Sequence, residues 1–258
     1  MTRVLRLIVV WAIVLVPTVV VHAQESDPVF DATEAMIPMR DGVKLYTQVY
    51  SPRVRNEPLP FLLLRTPYGT GRLDSARLAS SQTELTAEGF IIVVQDIRGR
   101  FKSEGQFVML RQPRESKDAK AIDESTDAYD TIEWLVKNLP ETNGKVGTIG
   151  SSYLGFLTLA SEINPHPALK AAVPQSPMVD GWMGDDWFHN GAFRTGSLDF
   201  GVSQSTGKAE GSGLALGTGD DYTRYLEAGS MGDYARRLGI DHYPFVQKLF
   251  QNPAYTEF

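Results

Sequence analysis

Gly150-Ser151-Ser152-Tyr153-Leu154-Gly155 is the stretch of this chain best suited to covalent chemistry. It stands between residues 145–150, which read as a buried strand, and residues 153–163, which read as an apolar helix. A tight strand-to-helix turn pushes a side chain out at the carboxyl edge of a sheet, and small residues around it let strand and helix approach closely. The helix N-terminus adds backbone N–H groups and partial positive charge, which suit an oxyanion. Ser152 is the candidate nucleophile for acyl transfer. The second glycine arrives one position later than in G-x-S-x-G, and a serine before a helix is also an ordinary N-cap. On the motif alone both readings stand.

An oxyanion hole in this architecture takes one N–H from the residue after the nucleophile, here Tyr153. The second donor comes from the loop after an earlier strand. That loop is Thr66-Pro67-Tyr68-Gly69. It has no glycine-rich run, but Tyr68 carries a phenol that can donate; a tyrosine packed under the loop is the competing reading.

These residues need a sheet to position them. Residues 36–50 read as a β-hairpin around Asp41-Gly42, a favoured two-residue turn because both residues tolerate positive φ. Its second arm alternates Val43, Leu45, Thr47 and Val49 with polar neighbours, predicting one buried face. Phe61-Leu62-Leu63-Leu64 and Phe90-Ile91-Ile92-Val93-Val94 are unbroken apolar runs, expected of strands buried on both faces. Residues 74–88 read as a helix ending at Gly89, and residues 95–120 as a long charged loop. A helix follows over residues 123–139, with Ile132, Leu135, Val136 and Leu139 at helical spacing. Residues 169–173 form another strand. Strands alternating with helices after an opening hairpin predict an α/β sheet with right-handed crossovers. Beyond residue 178 the character changes. Residues 196–220 read as an extended loop, residues 221–228 and 231–238 as two short helices split by Gly229, and residues 244–251 as a third.

Composition narrows the function. The chain has 258 residues, 25 basic against 31 acidic, and no cysteine. The acidic balance argues against a general nucleic-acid binder. The missing cysteines exclude disulfides, zinc–thiolate sites, iron–sulfur clusters and a cysteine nucleophile. No metal-ligand spacing, P-loop or dinucleotide fingerprint calls for a metal or cofactor. At the N-terminus, Arg3 and Arg6 precede an apolar run from Leu7 to Val21, and Val21-His22-Ala23 offers a cleavage site. Residues 1–23 are expected to be a signal peptide cut after Ala23, making the protein secreted or periplasmic and leaving no membrane segment. The alternative is an uncleaved anchor.

The motifs together carry a resemblance. Gly150-x-Ser152-Tyr153-x-Gly155, Thr66-Pro67-Tyr68-Gly69, and Asp96-Ile97-Arg98-Gly99 with Ser103-Glu104-Gly105 resemble the cocaine-esterase/X-Pro dipeptidyl-peptidase family of serine hydrolases. The stretches 185–194 and 252–258 are similar to its α-amino-acid ester hydrolase and glutaryl acylase branch. The resemblance runs from about residue 34 to the end, and the late glycine is the family's own form of the elbow. It implies an α/β-hydrolase fold, Ser152 as nucleophile, and the Tyr68 hydroxyl with the Tyr153 N–H as oxyanion hole. It also implies that Asp186, matching one of a cluster of carboxylates, binds the substrate's α-ammonium group. The competing reading for Asp186 is a surface carboxylate or helix cap. An ammonium in a partly dry pocket does need an opposite charge.

A serine nucleophile also needs a histidine base and an acid to orient it, which in this fold follow the nucleophile in the order acid, histidine. His166 lies between two prolines before the next strand, too early in the topology. His189 and His242 fall in the segment that would cap the sheet. The acid and histidine are therefore expected after the cap, outside these 258 residues, so that the chain alone should hydrolyse poorly. The expected organisation is a signal peptide (1–23), the N-terminal part of an α/β-hydrolase domain (24–178), and an incomplete helical cap (179–258).

The expected function is acyl transfer from a small-molecule α-amino-acid ester, amide or β-lactam acyl group. The alternatives are an X-Pro dipeptidyl-peptidase and a non-catalytic exported fragment or binding module. A homo-oligomeric parent is left open. Arg98 is expected to pair with a carboxylate rather than touch substrate. Trp182, Trp187, Phe188 and Phe193 would either line a pocket or pack the cap on the sheet.

Overall fold

The computed structural model describes residues 30–72, 89–111, 113–114, 121–179, 188–190, 192–194, 220–242 and 247. Six strands form one sheet: β1 (Phe30–Pro38), β2 (Lys44–Pro52), β3 (Leu59–Thr66), β4 (Ile91–Asp96), β5 (Thr142–Ser151) and β6 (Leu169–Gln175). Their order is β1-β2-β4-β3-β5-β6. β1 pairs antiparallel with β2 and β2 antiparallel with β4, whereas β4, β3, β5 and β6 run parallel. Helix α1 (Glu124–Asn138) joins β4 to β5, and helix α2 (Tyr153–Ala160) joins β5 to β6. β3 thus sits between β4 and β5, and the carboxyl ends of β3 and β5 emerge side by side. Ligands of open parallel sheets bind at such carboxyl edges.

The unbroken apolar runs arise because side chains alternate across the pleat and both faces are covered. Phe61 and Leu63 pack with Ile91, Val93, Ile132 and Leu135 on the α1 face. Leu62 and Leu64 pack with Ile92 and Val94 on the other. Each such side chain, buried to a few per cent, contributes roughly 1.5–3 kcal/mol of transfer free energy. α1 begins at Asp123, whose carboxylate accepts the Thr126 N–H at 2.9 Å while the Thr126 hydroxyl accepts the Asp123 N–H at 3.0 Å, a closed capping box.

Two details of the hairpin differ from expectation. The turn is three residues, Arg40-Asp41-Gly42, closed by the Gly42 N–H on the Met39 carbonyl at 2.9 Å, and only Gly42 (φ +85°) is left-handed. This is a turn followed by a glycine bulge. β2 is also buried on both faces, with Tyr46 and Tyr50 as covered as Leu45 and Val49. β2 is an inner strand between β1 and β4, and its tyrosines pack their rings inside while the Tyr46 hydroxyl meets Lys102 Nζ at 2.9 Å.

Past residue 178, β7 (Phe188–His189) and β8 (Ala192–Phe193) form a small antiparallel ribbon. Helices α3 (Asp221–Ala228) and α4 (Met231–Leu238) fall where the sequence places them, split by Gly229 and each started by a side-chain cap, Asp220 and Ser230. Residues 1–23, 74–88 and 196–219, and 244–251 apart from Gln247, lie outside the described residues. Among the described residues no helix is long and apolar enough to cross a membrane.

Candidate active site

Ser152 occupies the corner between β5 and α2 at φ +58°, ψ −119°. Such a backbone is uncommon and strained for any residue but glycine, and it persists only where the surroundings enforce it. The enforcement is visible. A Cβ on Gly150 would stand 2.4 Å from the Leu154 carbonyl oxygen, and one on Gly155 would stand 2.5 Å from the Gln175 carbonyl oxygen. Strand, helix and the end of β6 therefore meet without room for a methyl group. The Ser152 N–H donates to the Gln175 carbonyl at 3.0 Å, and the Ser152 carbonyl accepts the Phe156 N–H at 3.0 Å. Ser152 makes no side-chain capping hydrogen bond, and its φ is not that of an N-cap. The late glycine of the motif is required because position 155, not 154, abuts the Gln175 carbonyl.

The Tyr68 loop rises from the neighbouring strand. The Tyr68 N–H donates to Thr66 Oγ1 at 3.0 Å, the Ile97 N–H to the Thr66 carbonyl at 3.0 Å, and Arg100 Nε to the Pro67 carbonyl at 2.9 Å. Asp96 Oδ1 accepts the Thr70 N–H at 2.7 Å on the far side. Gly69 (φ +92°) is needed because a Cβ there would press on the Phe101 ring at 3.0 Å. Tyr68 is half-buried, and its ring meets that of Tyr153 edge-on with centroids 6.4 Å apart. The structure thus brings Tyr68 beside the residue that follows Ser152. Tyr153 is fully buried, and its hydroxyl accepts the Leu110 N–H at 2.8 Å. Burial holds its phenol well above the ordinary tyrosine value, so it stays neutral.

Beneath this edge lies a buried lattice of charge. Arg98 forks onto Asp127 at 2.9 and 2.7 Å and onto Asp41 at 2.7 and 3.2 Å, tying the hairpin turn to α1. Burial works against that charge, but the two carboxylates outweigh it and hold the guanidinium above its ordinary value. Arg98 is structural, as its sequence context suggests. Arg65 was not singled out by sequence. It donates to Gln95 Oε1 at 3.0 Å, to the Glu124 carbonyl at 2.8 Å and to Glu124 Oε2 at 3.0 Å. Its one signal is a guanidinium closing the apolar run Phe61-Leu62-Leu63-Leu64. Glu124 is raised above the usual carboxylate range by burial, which Arg65 only partly offsets.

His166 is engaged elsewhere. Its Nε2 lies 2.9 Å from Glu133 Oε2, its Nδ1 accepts the Ala168 N–H at 3.0 Å, and its ring packs edge-on against Tyr129. His189, in the ribbon, and His242, just past α4, are exposed. Asp186, Trp182 and Trp187 lie outside the described residues.

A mixed sheet in this strand order, with a serine on a strained turn after β5, defines an α/β-hydrolase fold. The family model for X-Pro dipeptidyl-peptidase (S15 family) matches residues 41–258, and the chain belongs to that family of hydrolases. Among curated proteins it is 34% identical over 152 residues to a cocaine esterase of Rhodococcus sp. (strain MB1 Bresler), covering 58% of this chain and 24% of that one. Among solved structures it is similar to an α-amino acid ester hydrolase, with TM-score 0.85 and 44% identity over 94% of this chain and 41% of that one. It is also similar to an aminopeptidase from a marine sediment archaeon, Thaumarchaeota archaeon, with TM-score 0.79 and 44% identity over 85% of this chain and 37% of the other. A CocE/NonD family hydrolase from Staphylococcus aureus, 23% identical over 68% of this chain and 32% of that one with TM-score 0.51, shares the fold. The chain spans about a quarter of the length of the curated relatives it matches.

Proposed function

We propose that the protein is a serine hydrolase acting on acyl groups that carry an α-amino group, such as α-amino-acid esters and related amides or β-lactam acyl groups. The observation that carries the reading is Ser152, held at positive φ with its hydroxyl unspent on capping. Its Oγ bonds to the substrate's carbonyl carbon as the carbonyl π pair moves onto oxygen. The Tyr68 O–H and the Tyr153 N–H stabilise that oxyanion. Its collapse expels the alcohol or amine, and water later releases the acyl group. A histidine base takes the Ser152 proton and gives it to the departing alcohol or amine. We do not assign His166 as that base, since its Nε2 is turned to Glu133 and its Nδ1 accepts the Ala168 N–H, so that neither nitrogen is spent on Ser152. The base and its orienting acid are assigned to sequence outside the described residues.

The substrate class rests on three names that share an amino end: α-amino acid ester hydrolase, aminopeptidase and X-Pro dipeptidyl-peptidase. Asp186 is assigned to hold that ammonium. The family match also supports a second reading, cleavage after proline in dipeptidyl substrates. Residues 1–23 are assigned as a signal peptide, so the working compartment is outside the cytoplasm, and an N-terminus at Gln24 in the exported protein tests this. For the chemistry, the full-length protein, with the segment that supplies the base, is treated with a fluorophosphonate and the adduct located by mass spectrometry. The label is expected on Ser152 and absent from Ser152→Ala at unchanged melting temperature; equal labelling of both overturns the reading. Turnover of amino-acid methyl esters against X-Pro anilides separates the two substrate classes.

A further inference from the structure

Arg100 is among the most deeply buried large side chains in the molecule, 2% exposed, at the edge where the Tyr68 loop and the Ser152 turn meet. A guanidinium loses much hydration there and needs compensation. Part of it is aromatic: the guanidinium carbon lies 5.2 Å from the Phe101 ring centroid and 4.9 Å from that of Phe107. Part is the Nε–H bond to the Pro67 carbonyl at 2.9 Å. That carbonyl lies in the planar peptide leading into Tyr68, so a bond to it orients the peptide, and proline's fixed φ removes one further freedom. Arg100 itself is fixed by the Arg100 N–H on the Ile97 carbonyl and the Ser103 N–H on the Arg100 carbonyl. Its neighbour Gly99 admits no side chain, since a Cβ there would stand 2.0 Å from the Phe107 nitrogen. The charge also lies within electrostatic reach of the Tyr153 and Tyr68 phenols and of Asp96.

We propose that Arg100 is a positioning residue of the oxyanion hole: it holds the Pro67–Tyr68 peptide so that the Tyr68 hydroxyl faces the Ser152 turn, and its charge favours negative charge developing there. The inference rests on the reading of Tyr68 as an oxyanion donor. Arg100 touches no substrate and acts through Tyr68. Its effect therefore falls on the transition state and disappears when the phenol is gone.

The test is a double-mutant cycle on the whole protein with an amino-acid methyl ester. Arg100→Met is expected to lower kcat about ten- to hundredfold, the scale of a misplaced catalytic group, with KM changed less than about threefold. Arg100→Lys, which keeps the charge, should recover a large part. Added to Tyr68→Phe, Arg100→Met should slow the enzyme by less than about threefold further. Full additivity, or unchanged kcat in Arg100→Met while Tyr68→Phe is slow, overturns the positioning role and leaves the oxyanion reading standing. Unchanged kcat in Tyr68→Phe defeats both. If Arg100→Met does not fold, Arg100→Gln replaces it in the same cycle.

Discussion

The Ser152 N–H donates to the Gln175 carbonyl at 3.0 Å, so the Ser152 turn is pinned to the end of β6 rather than to its own helix alone. The same carbonyl oxygen is what a Cβ on Gly155 would strike at 2.5 Å. One backbone atom thus both holds the turn and forbids a side chain beside it. Gly155→Ala is expected to cost about 3 kcal/mol, the upper part of the range for overpacking a tight site, and to suppress Ser152 labelling. Gly144→Ala is the control, because its Cβ meets open space at φ +74°. It should cost about 1 kcal/mol from backbone strain alone. Urea unfolding of the two variants measures the difference.

Asp186→Asn tests the proposal that this carboxylate binds the substrate ammonium. A charge-assisted contact is worth about 1.5–3 kcal/mol. KM for an amino-acid methyl ester should therefore rise roughly ten- to hundredfold. KM for the matching ester without the amino group should stay where it was. An equal change for both esters would assign Asp186 to the fold instead.

The Arg98 lattice should reveal itself in stability. Asp127 and Arg98 are 1% and 6% exposed, so Asp127→Asn leaves a buried guanidinium short of a partner. The expected loss is about 3 kcal/mol by denaturant unfolding. Arg98→Met with Asp127→Leu should lose less than the two single changes summed, because neither member of the buried pair is left charged without the other, and Asp41, 31% exposed, keeps water as a partner.

Asp123 makes folding sensitive to acid. Burial alone would raise its carboxyl, but the Arg114 N–H, the Ser125 hydroxyl and the Thr126 N–H outweigh it and hold the group below its ordinary value of 3.8. A lowered folded value means the stabilisation is present above the unfolded value and is lost as pH falls through the folded one. Melting temperature should drop more between pH 7 and pH 3 in the native protein than in Asp123→Asn. Parallel curves for the two would contradict this.

His166→Gln tests the exclusion of that histidine. Ester turnover of the full-length protein is expected to stay within about twofold, since general-base loss would instead cost about 10²–10⁴-fold. The melting temperature should fall with the lost Glu133 and Ala168 contacts. A collapse of turnover at an unchanged melting temperature would make His166 the base.

Much of this molecule was legible in its residues. Phe61-Leu62-Leu63-Leu64 and Ile91-Ile92-Val93-Val94 announced doubly buried strands, because only a covered sheet accepts apolar side chains on both sides of the pleat. Gly150, Ser152 and Gly155 announced the turn, because side-chain size is written in the residue type. The partners across the fold were not legible. Arg65 finding Glu124, 59 positions away, depends on which strand lies beside which helix. So does Arg100 holding Pro67, 33 positions back, and Gln175 closing on Ser152. Sequence states local preference and period. Strand order alone, β1-β2-β4-β3-β5-β6, brought Tyr68 beside Tyr153 and made β2 an inner strand, and no local pattern encodes that adjacency.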